Sequence, residues 1–143
     1  MTAVSERESL ARVRRVFAAH PVPGVLSVYV FGSIAEGRAH AESDIDLGVL
    51  FDRNVYPDDR SRFEAQLDLR RYLSPASVGR EVDVVVLNDA SPVLGRRIIR
   101  GEQVYCADRE ADHSFRRDVQ LRAADLDPFL RKMRRLLHAG LTR

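Results

Sequence analysis

Two aspartates occupy alternate positions within an apolar run, SDIDLGVL, at residues 43–50. Successive side chains of a strand point to opposite faces, so Asp44 and Asp46 share one face and the intervening apolar residues share the other. Aspartate is depleted in strands and is rarely buried without a partner. The apolar face is therefore predicted to pack in a core, with the two carboxylates over one site and their Cα atoms about 6.5–7 Å apart.

A third aspartate, Asp83, interrupts a run of valines in EVDVVVLN at residues 81–88. If this strand lies beside the strand of Asp44 and Asp46, three carboxylates converge. Like charges this close destabilise one another unless a cation offsets them. Oxygen ligands without cysteine or histidine suit Mg²⁺ or Mn²⁺ rather than zinc, so the three aspartates predict a divalent metal site. A lone strand aspartate can instead cap a turn or pair with an arginine.

A Gly-Ser pair precedes the aspartates, with Ser33 eleven residues before Asp44. Gly32 allows a positive φ or a close approach to a ligand. A helical turn that starts at Ser33 offers N–H groups suited to phosphate. Arg38 is a further phosphate candidate, although a solvated surface arginine explains it equally well. A phosphate cradle that faces a carboxylate-bound metal is typical of nucleotidyl or phosphoryl transfer.

The rest of the chain alternates predicted helices and strands. Helices are predicted over 5–20, where Ser5 and Glu8 fit a capping box, over 57–73 and 91–101, and through 109–139 with a break at DLDP; strands over 25–31, 43–50, 81–88 and 102–108. This order predicts an α/β or α+β fold. With 143 residues and no linker, we expect one domain over 1–143, with a core at 25–107 and a helical tail at 108–143.

Composition narrows the class of protein. The chain has a single cysteine, Cys106, no apolar run long enough to span a membrane and no apolar segment near its start. We therefore expect a cytoplasmic protein. A net charge of +2 is too small to argue for nucleic-acid binding by itself.

The motifs resemble a known family. GSIAEGRAHAESDIDLGVL resembles the Gly-Ser, ten-residue, Asp-x-Asp motif of the DNA polymerase β-type nucleotidyltransferases. EVDVVVLNDASPVLGRRIIRGEQVYCAD is similar to the minimal nucleotidyltransferase (MNT) proteins, which act as antitoxins beside HEPN-domain ribonuclease toxins. The resemblance covers about residues 25–107 and implies a polymerase β-like fold, a small mixed or antiparallel sheet flanked by helices, followed by C-terminal helices.

The resemblance also implies roles for individual residues. Gly32 and Ser33 would hold the triphosphate of a nucleotide. Asp44 and Asp46 would bind two Mg²⁺ ions, or Mn²⁺ in their place. Asp83 would help to bind the catalytic metal and assist deprotonation of the acceptor hydroxyl.

As an MNT antitoxin of a type VII toxin–antitoxin system, the chain would transfer AMP from ATP to a tyrosine hydroxyl of its HEPN toxin and so block the toxin. Its expected partners are that toxin and a nucleoside triphosphate, with no membrane and no direct nucleic acid, in a homo- or hetero-oligomer. Two alternatives stay open. One is an antitoxin that neutralises by binding alone. The other is an aminoglycoside-type nucleotidyltransferase that acts on a small molecule.

The helical tail carries an apolar stripe opposite a basic face. Its members are Phe129, Leu130, Met133, Leu136, Leu137 and Gly140. The favoured interpretation is a helix docked on its own core with a solvated basic face. The alternatives are a dimer or toxin interface and, least favoured, a helix that lies on a membrane surface.

Overall fold

A computed structural model describes residues 6–37, 44–77 and 80–141. Its helices are α1 (Glu6–Ala19), α2 (Asp59–Leu73), α3 (Pro92–Ile99) and α4 (Arg109–Leu141); its strands are β1 (Val25–Phe31), β2 (Ile45–Phe51), β3 (Val82–Val86) and β4 (Glu102–Cys106). Short 3₁₀ turns at Ser74–Ser77 and Leu87–Asp89 end α2 and β3. The predicted elements are present with shifted ends. The proposed capping residue Ser5 lies outside the described residues.

The strands form one mixed sheet in the order β3-β2-β1-β4. β1 is antiparallel to both β2 and β4, whereas β2 and β3 are parallel. The predicted α+β fold with a small mixed sheet is confirmed. Because β2 and β3 are direct neighbours, the condition under which the three aspartates approach one another is met.

Alternation along the strands gives the sheet two covered faces. Ile45, Leu47 and Val49 of β2 pack in one apolar cluster with residues of α1 and α2. The opposite face, which carries Tyr29 and Leu50, packs against α3 and α4. The carboxylate face of β2 is thus covered by helices along most of its length and carries its aspartates only at its beginning.

Side-chain caps and one glycine set the positions of the shorter helices. Asp58 accepts a hydrogen bond from the Ser61 N–H at the start of α2, and Ser91 accepts one from Leu94 N–H at the start of α3. α3 lies close to the sheet over Gly48, where a Cβ atom would come within 2.3 Å of Ile98 Cγ2.

The tail is one helix, so the predicted break at DLDP is wrong. α4 runs for 33 residues with Pro128 inside it. Proline removes one backbone hydrogen bond, to the carbonyl four residues earlier. That residue, Ala124, is exposed, so water can bind its carbonyl. Asp127, directly before the proline, is held by Arg96 of α3.

The apolar stripe of the tail does not dock on the core, so the favoured interpretation of that stripe is also wrong. Residues 131–140 are all exposed, and large apolar side chains such as Phe129 and Leu136 face solvent. Helical periodicity shows that such a face exists, but it does not show what covers it. Within the described ranges, no helix is both long and apolar enough to cross a membrane.

Candidate active site

The three predicted carboxylates lie at one end of the β2–β3 pair. Asp46 is directly opposite Asp83 in the parallel register, and neighbouring strands are about 4.8 Å apart. Asp44 immediately precedes β2 and is exposed, as is Asp83, whereas Asp46 is half-buried. Asp46 is on the same face as Gly48, over which α3 packs, and Asp83 and Asp44 both lie close enough for their negative charges to act on it.

This crowding changes the acidity of Asp46. Burial raises the pKa of the Asp46 carboxyl, and the negative charges of Asp83 and Asp44 raise it further. Arg97 of α3 acts in the opposite direction and lowers the pKa of the same group. Keeping Asp46 ionised therefore costs free energy in the folded protein, and a nearby cation reduces that cost.

The Gly-Ser turn packs against the same carboxylate. Gly32 follows β1, has φ +77°, and a Cβ atom on it would lie 2.4 Å from Asp46 Oδ2. Hydrogen bonds from Glu36 N–H to Gly32 O and from Gly37 N–H to Ile34 O close a single turn. The first N–H groups of such a turn have no partner within it, and half-buried Ser33 stands at its start. Only glycine fits both the backbone conformation and the close approach.

The donor set is compatible with a hard divalent ion, although the aspartates are not yet gathered around one point. No group of three or more Asp, Glu, His or Cys side chains in the described ranges could hold a metal ion as it stands. Mutual repulsion opposes a closer approach of unpaired carboxylates, and the charges of Asp83 and Asp44 add to burial in raising the pKa of Asp46. Carboxylates on neighbouring strand positions are oxygen donors of the kind that Mg²⁺ and Mn²⁺ prefer.

A cleft of about 590 Å³ opens beside the Gly-Ser turn. Its walls are the turn at Gly32, the helix α3 and the start of β4; α3 contributes Arg96 and Arg97, and Arg100 follows directly after it as its C-cap. Arg96 is engaged in a two-point ion pair with Asp127, with distances of 2.9 and 3.0 Å. Arg97 and Arg100 are exposed and give the cleft a positive wall next to the carboxylates.

These α3 arginines were missed by the sequence reasoning. The spacing of three residues between Arg97 and Arg100 in GRRIIRG puts both on one side of a helix, which is the signal that could have identified them. What the sequence did not show was that α3 crosses the carboxylate face. Arg38, the basic residue that was predicted, lies outside the described residues.

Comparison with known proteins supplies a family. The family model "Polymerase beta, Nucleotidyltransferase" matches residues 13–110. A Methanocaldococcus jannaschii protein, named provisionally as a protein adenylyltransferase, is 35% identical over 57% of this chain and 76% of its own length. The protein adenylyltransferase MntA of Shewanella oneidensis is 32% identical over 59% of this chain, and the match spans only 56% of that relative.

Solved structures share the fold. A chain of a toxin–antitoxin complex with AMP-PNP has a TM-score of 0.59 at 23% identity, with 94% of this chain and 98% of that chain covered. A chain of the complex between a tri-AMPylated S. oneidensis HEPN toxin and its MNT antitoxin has a TM-score of 0.55 at 20% identity, with 96% and 99% covered.

The predicted resemblance is confirmed by these matches, which include the strands that carry the three aspartates. The family implies a nucleotide substrate and a divalent metal in general terms. The chain therefore belongs to the polymerase β-type nucleotidyltransferase family and is an enzyme of the nucleotidyltransferase type.

Proposed function

We propose that this chain is the antitoxin of a toxin–antitoxin pair, and that it transfers AMP from ATP to a tyrosine hydroxyl of a HEPN-domain toxin. The observation that carries the proposal is the register pair Asp46–Asp83 beside the Gly32 turn in a chain of this family. Support for the protein acceptor comes from the relatives named protein adenylyltransferases and from the fold shared with a chain of an AMPylated toxin complex.

In this proposal Asp44, Asp46 and Asp83 hold two Mg²⁺ ions. When bound, the ions supply positive charge that offsets the phosphate oxygens and the leaving pyrophosphate. The turn at Gly32 and Ser33 donates N–H groups to the triphosphate, and Arg97 and Arg100 line the cleft that receives it. Each of these groups is on a rigid element, which favours a fixed position of the nucleotide.

The reaction joins the acceptor oxygen to the α-phosphorus of ATP. The tyrosine O–H loses its proton to Asp83, the member of the three aspartates that lies on β3, where it is exposed to solvent. The new O–P bond forms as the bond between the α-phosphorus and its bridging oxygen breaks, and pyrophosphate leaves. Neither oxidant nor reductant is needed.

The test is transfer of label from α-labelled ATP, with Mg²⁺, to the HEPN protein encoded beside this chain. Wild-type protein should label the toxin and restore growth to cells that express it. Asp46→Asn should reduce labelling by about 10³-fold or more, because it removes a carboxylate needed only for the reaction. Asp68→Asn, which alters an exposed carboxylate of α2, is the matched control and should label normally.

Two results separate the alternatives. If Asp46→Asn and Asp83→Asn protect cells as fully as the wild type, neutralisation is by contact rather than catalysis. If the wild type labels a small amino-sugar drug and not the toxin, the acceptor class is wrong.

The arginines beside the cleft have a readout of their own. Arg97→Gln should weaken binding of ATP by about tenfold, whereas Arg7→Gln should leave it unchanged.

A further inference from the structure

α4 consists of a covered half and an exposed half that share one face. In the first half, Val119 and Ala123 are buried against α3 and the sheet. In the second half the same face continues without cover. We name this continuation the distal stripe; its members are Leu126, Phe129, Leu130, Met133, Leu136 and Leu137. Met133 and Leu137, on successive turns of this face, are 42% and 64% exposed, and contiguous exposed apolar surface of this kind marks interaction sites.

The spacing of the distal stripe indicates the shape of what covers it. The face runs through Val119, Ala123, Leu126, Leu130, Met133 and Leu137 at alternating steps of four and three residues. A repeat that averages 3.5 residues is the spacing of helices that pack side by side along their length. From Leu126 to Leu137 the stripe is about 17 Å long, which is three turns. A helix that lies along α4 for these three turns matches the stripe in length and spacing.

Charge distinguishes between a second copy of this chain and a different protein. From Pro128 to the end of the sequence there are no acidic residues, whereas Arg131, Lys132, Arg134 and Arg135 fall within five positions. Lys132 and Arg134 flank the stripe, each roughly 100° from its centre around the helix. Two copies paired along the stripe would bring these cations together, which is unfavourable. A helix flanked by Asp and Glu would complement them.

We propose that the distal stripe docks a helix of the partner protein whose apolar face is bordered by acidic residues. The identification of this partner as the HEPN toxin rests on the proposed function. The ion pair between Arg96 and Asp127 fastens α4 to α3 at the point where the stripe begins. A partner held along distal α4 is thus held in a fixed orientation to α3, which carries Arg97 beside Asp46.

The experiment measures the dissociation constant between the full-length protein and the co-encoded HEPN protein by calorimetry. Leu136→Glu should weaken binding about tenfold or more, because it puts a charge into the apolar contact. Leu121→Glu is the matched control, since Leu121 is 62% exposed on the same helix but lies outside the stripe. It should bind as the wild type does.

A second pair of variants tests the charges. Lys132→Glu combined with Arg134→Glu should weaken binding by a similar factor and reduce its salt dependence. Arg131→Glu combined with Arg135→Glu makes the same change in charge on the far side of the helix and should have little effect. Unchanged affinity in both Leu136→Glu and the flanking double variant overturns the proposal.

Three further outcomes are decisive. If the protein alone is a dimer by light scattering and Leu136→Glu makes it a monomer, the stripe binds a second copy and the proposal is wrong. If the toxin binds through the stripe but is never AMPylated, the docking surface stands and the proposed function fails. If the toxin is AMPylated and its affinity is unchanged in every stripe variant, the proposed function stands and the docking surface is wrong.

Discussion

At the scale of single residues, Asp46 is the point where fold and chemistry conflict. It lies on a strand of the core sheet, half-buried, with a carboxylate in register on β3 and another two positions before it. Gly32 approaches it so closely that no side chain fits between them. A folded chain gains no stability from such an arrangement, so a ligand that supplies positive charge is the simplest reason for it.

Removing the charge of Asp46 should stabilise the metal-free protein. The pKa of Asp46 is raised in the folded state, so the ionised form lowers the free energy of unfolding at neutral pH. We expect Asp46→Asn to be more stable than the wild type at pH 7 in a chelator, by urea denaturation. The difference should disappear as the pH falls below the ordinary aspartate pKa of about 3.9, where the unfolded chain is protonated too.

Mg²⁺ or Mn²⁺ provides the companion measurement. Either ion should raise the unfolding midpoint of the wild type and leave Asp46→Asn nearly unchanged, because ligands that bind the folded state stabilise it. Asp68→Asn should respond as the wild type does. If the Asp46→Asn variant is less stable than the wild type at pH 7 in the presence of a chelator, the Asp46 charge does not destabilise the folded protein.

At the scale of elements, one bidentate ion pair supplements the apolar packing between α3 and α4. Arg96 donates two hydrogen bonds to the carboxylate of Asp127, and both side chains are partly buried. That hydrogen bonding lowers the pKa of Asp127. Such pairs are stronger than ordinary surface pairs because their geometry is fixed.

We expect this pair to contribute stability at neutral pH and to lose it in acid. Since the pKa of Asp127 is lowered in the folded state, its contribution is present above the ordinary aspartate pKa and is lost as the pH falls through the lowered value. Asp127→Asn should therefore be less stable than the wild type at pH 7, and the difference should shrink as the pH falls through the lowered pKa of Asp127, by denaturant titration. Asp118→Asn removes an exposed pair with Arg122 on the same helix and should have a smaller effect.

The elements also show what the sequence could predict. Alternation identified β2 and the face of Asp44 and Asp46, because one apolar face must be buried. Capping residues located the start of α3 at Ser91. Pro128 was misleading, because a proline inside an exposed helix removes one hydrogen bond that water can replace, while the helix on both sides of it persists.

At the scale of the whole molecule, a buried polar network ties α4 to the sheet. The Tyr29 hydroxyl on β1 donates to Asp112 of α4 at 2.5 Å and accepts hydrogen bonds from Arg116 and Gln103. Burial and the hydrogen bond to Asp112 raise the pKa of Tyr29, so the hydroxyl keeps its proton. One helix, α4, and two strands, β1 and β4, thus meet on one fully buried phenol.

Tyr29→Phe should lower the free energy of unfolding by about 1–3 kcal/mol, because the buried Asp112 carboxylate loses a donor. Tyr105→Phe is the control, since the Tyr105 ring stacks on Phe17 and its hydroxyl makes no hydrogen bond with another described residue. Its stability should change by less than about 0.5 kcal/mol. Equal losses in the two variants would mean that the network is not what holds α4.

The order of the strands and the partners of each face could not be predicted from the sequence. A run such as EVDVVVLN fixes a strand but not its neighbour, and only the parallel pairing with β2 puts Asp83 beside Asp46. The exposed half of α4 has the periodicity of a docked helix. Periodicity shows that an apolar face exists, but it does not show which molecule, if any, covers that face. Both unknowns depend on contacts between distant parts of a chain, or between chains.

The absence of a side chain at Gly48 has a consequence for the range of molecules that such an enzyme can accept. Ile98 of α3 rests on this glycine, so the height of α3 above the sheet is set there, and with it the position of the arginine wall. A methyl group at position 48 would collide with Ile98, and a shift of α3 that relieved the collision would change the width of the cleft. Substrate range in this scaffold can therefore evolve through a buried position that no substrate touches.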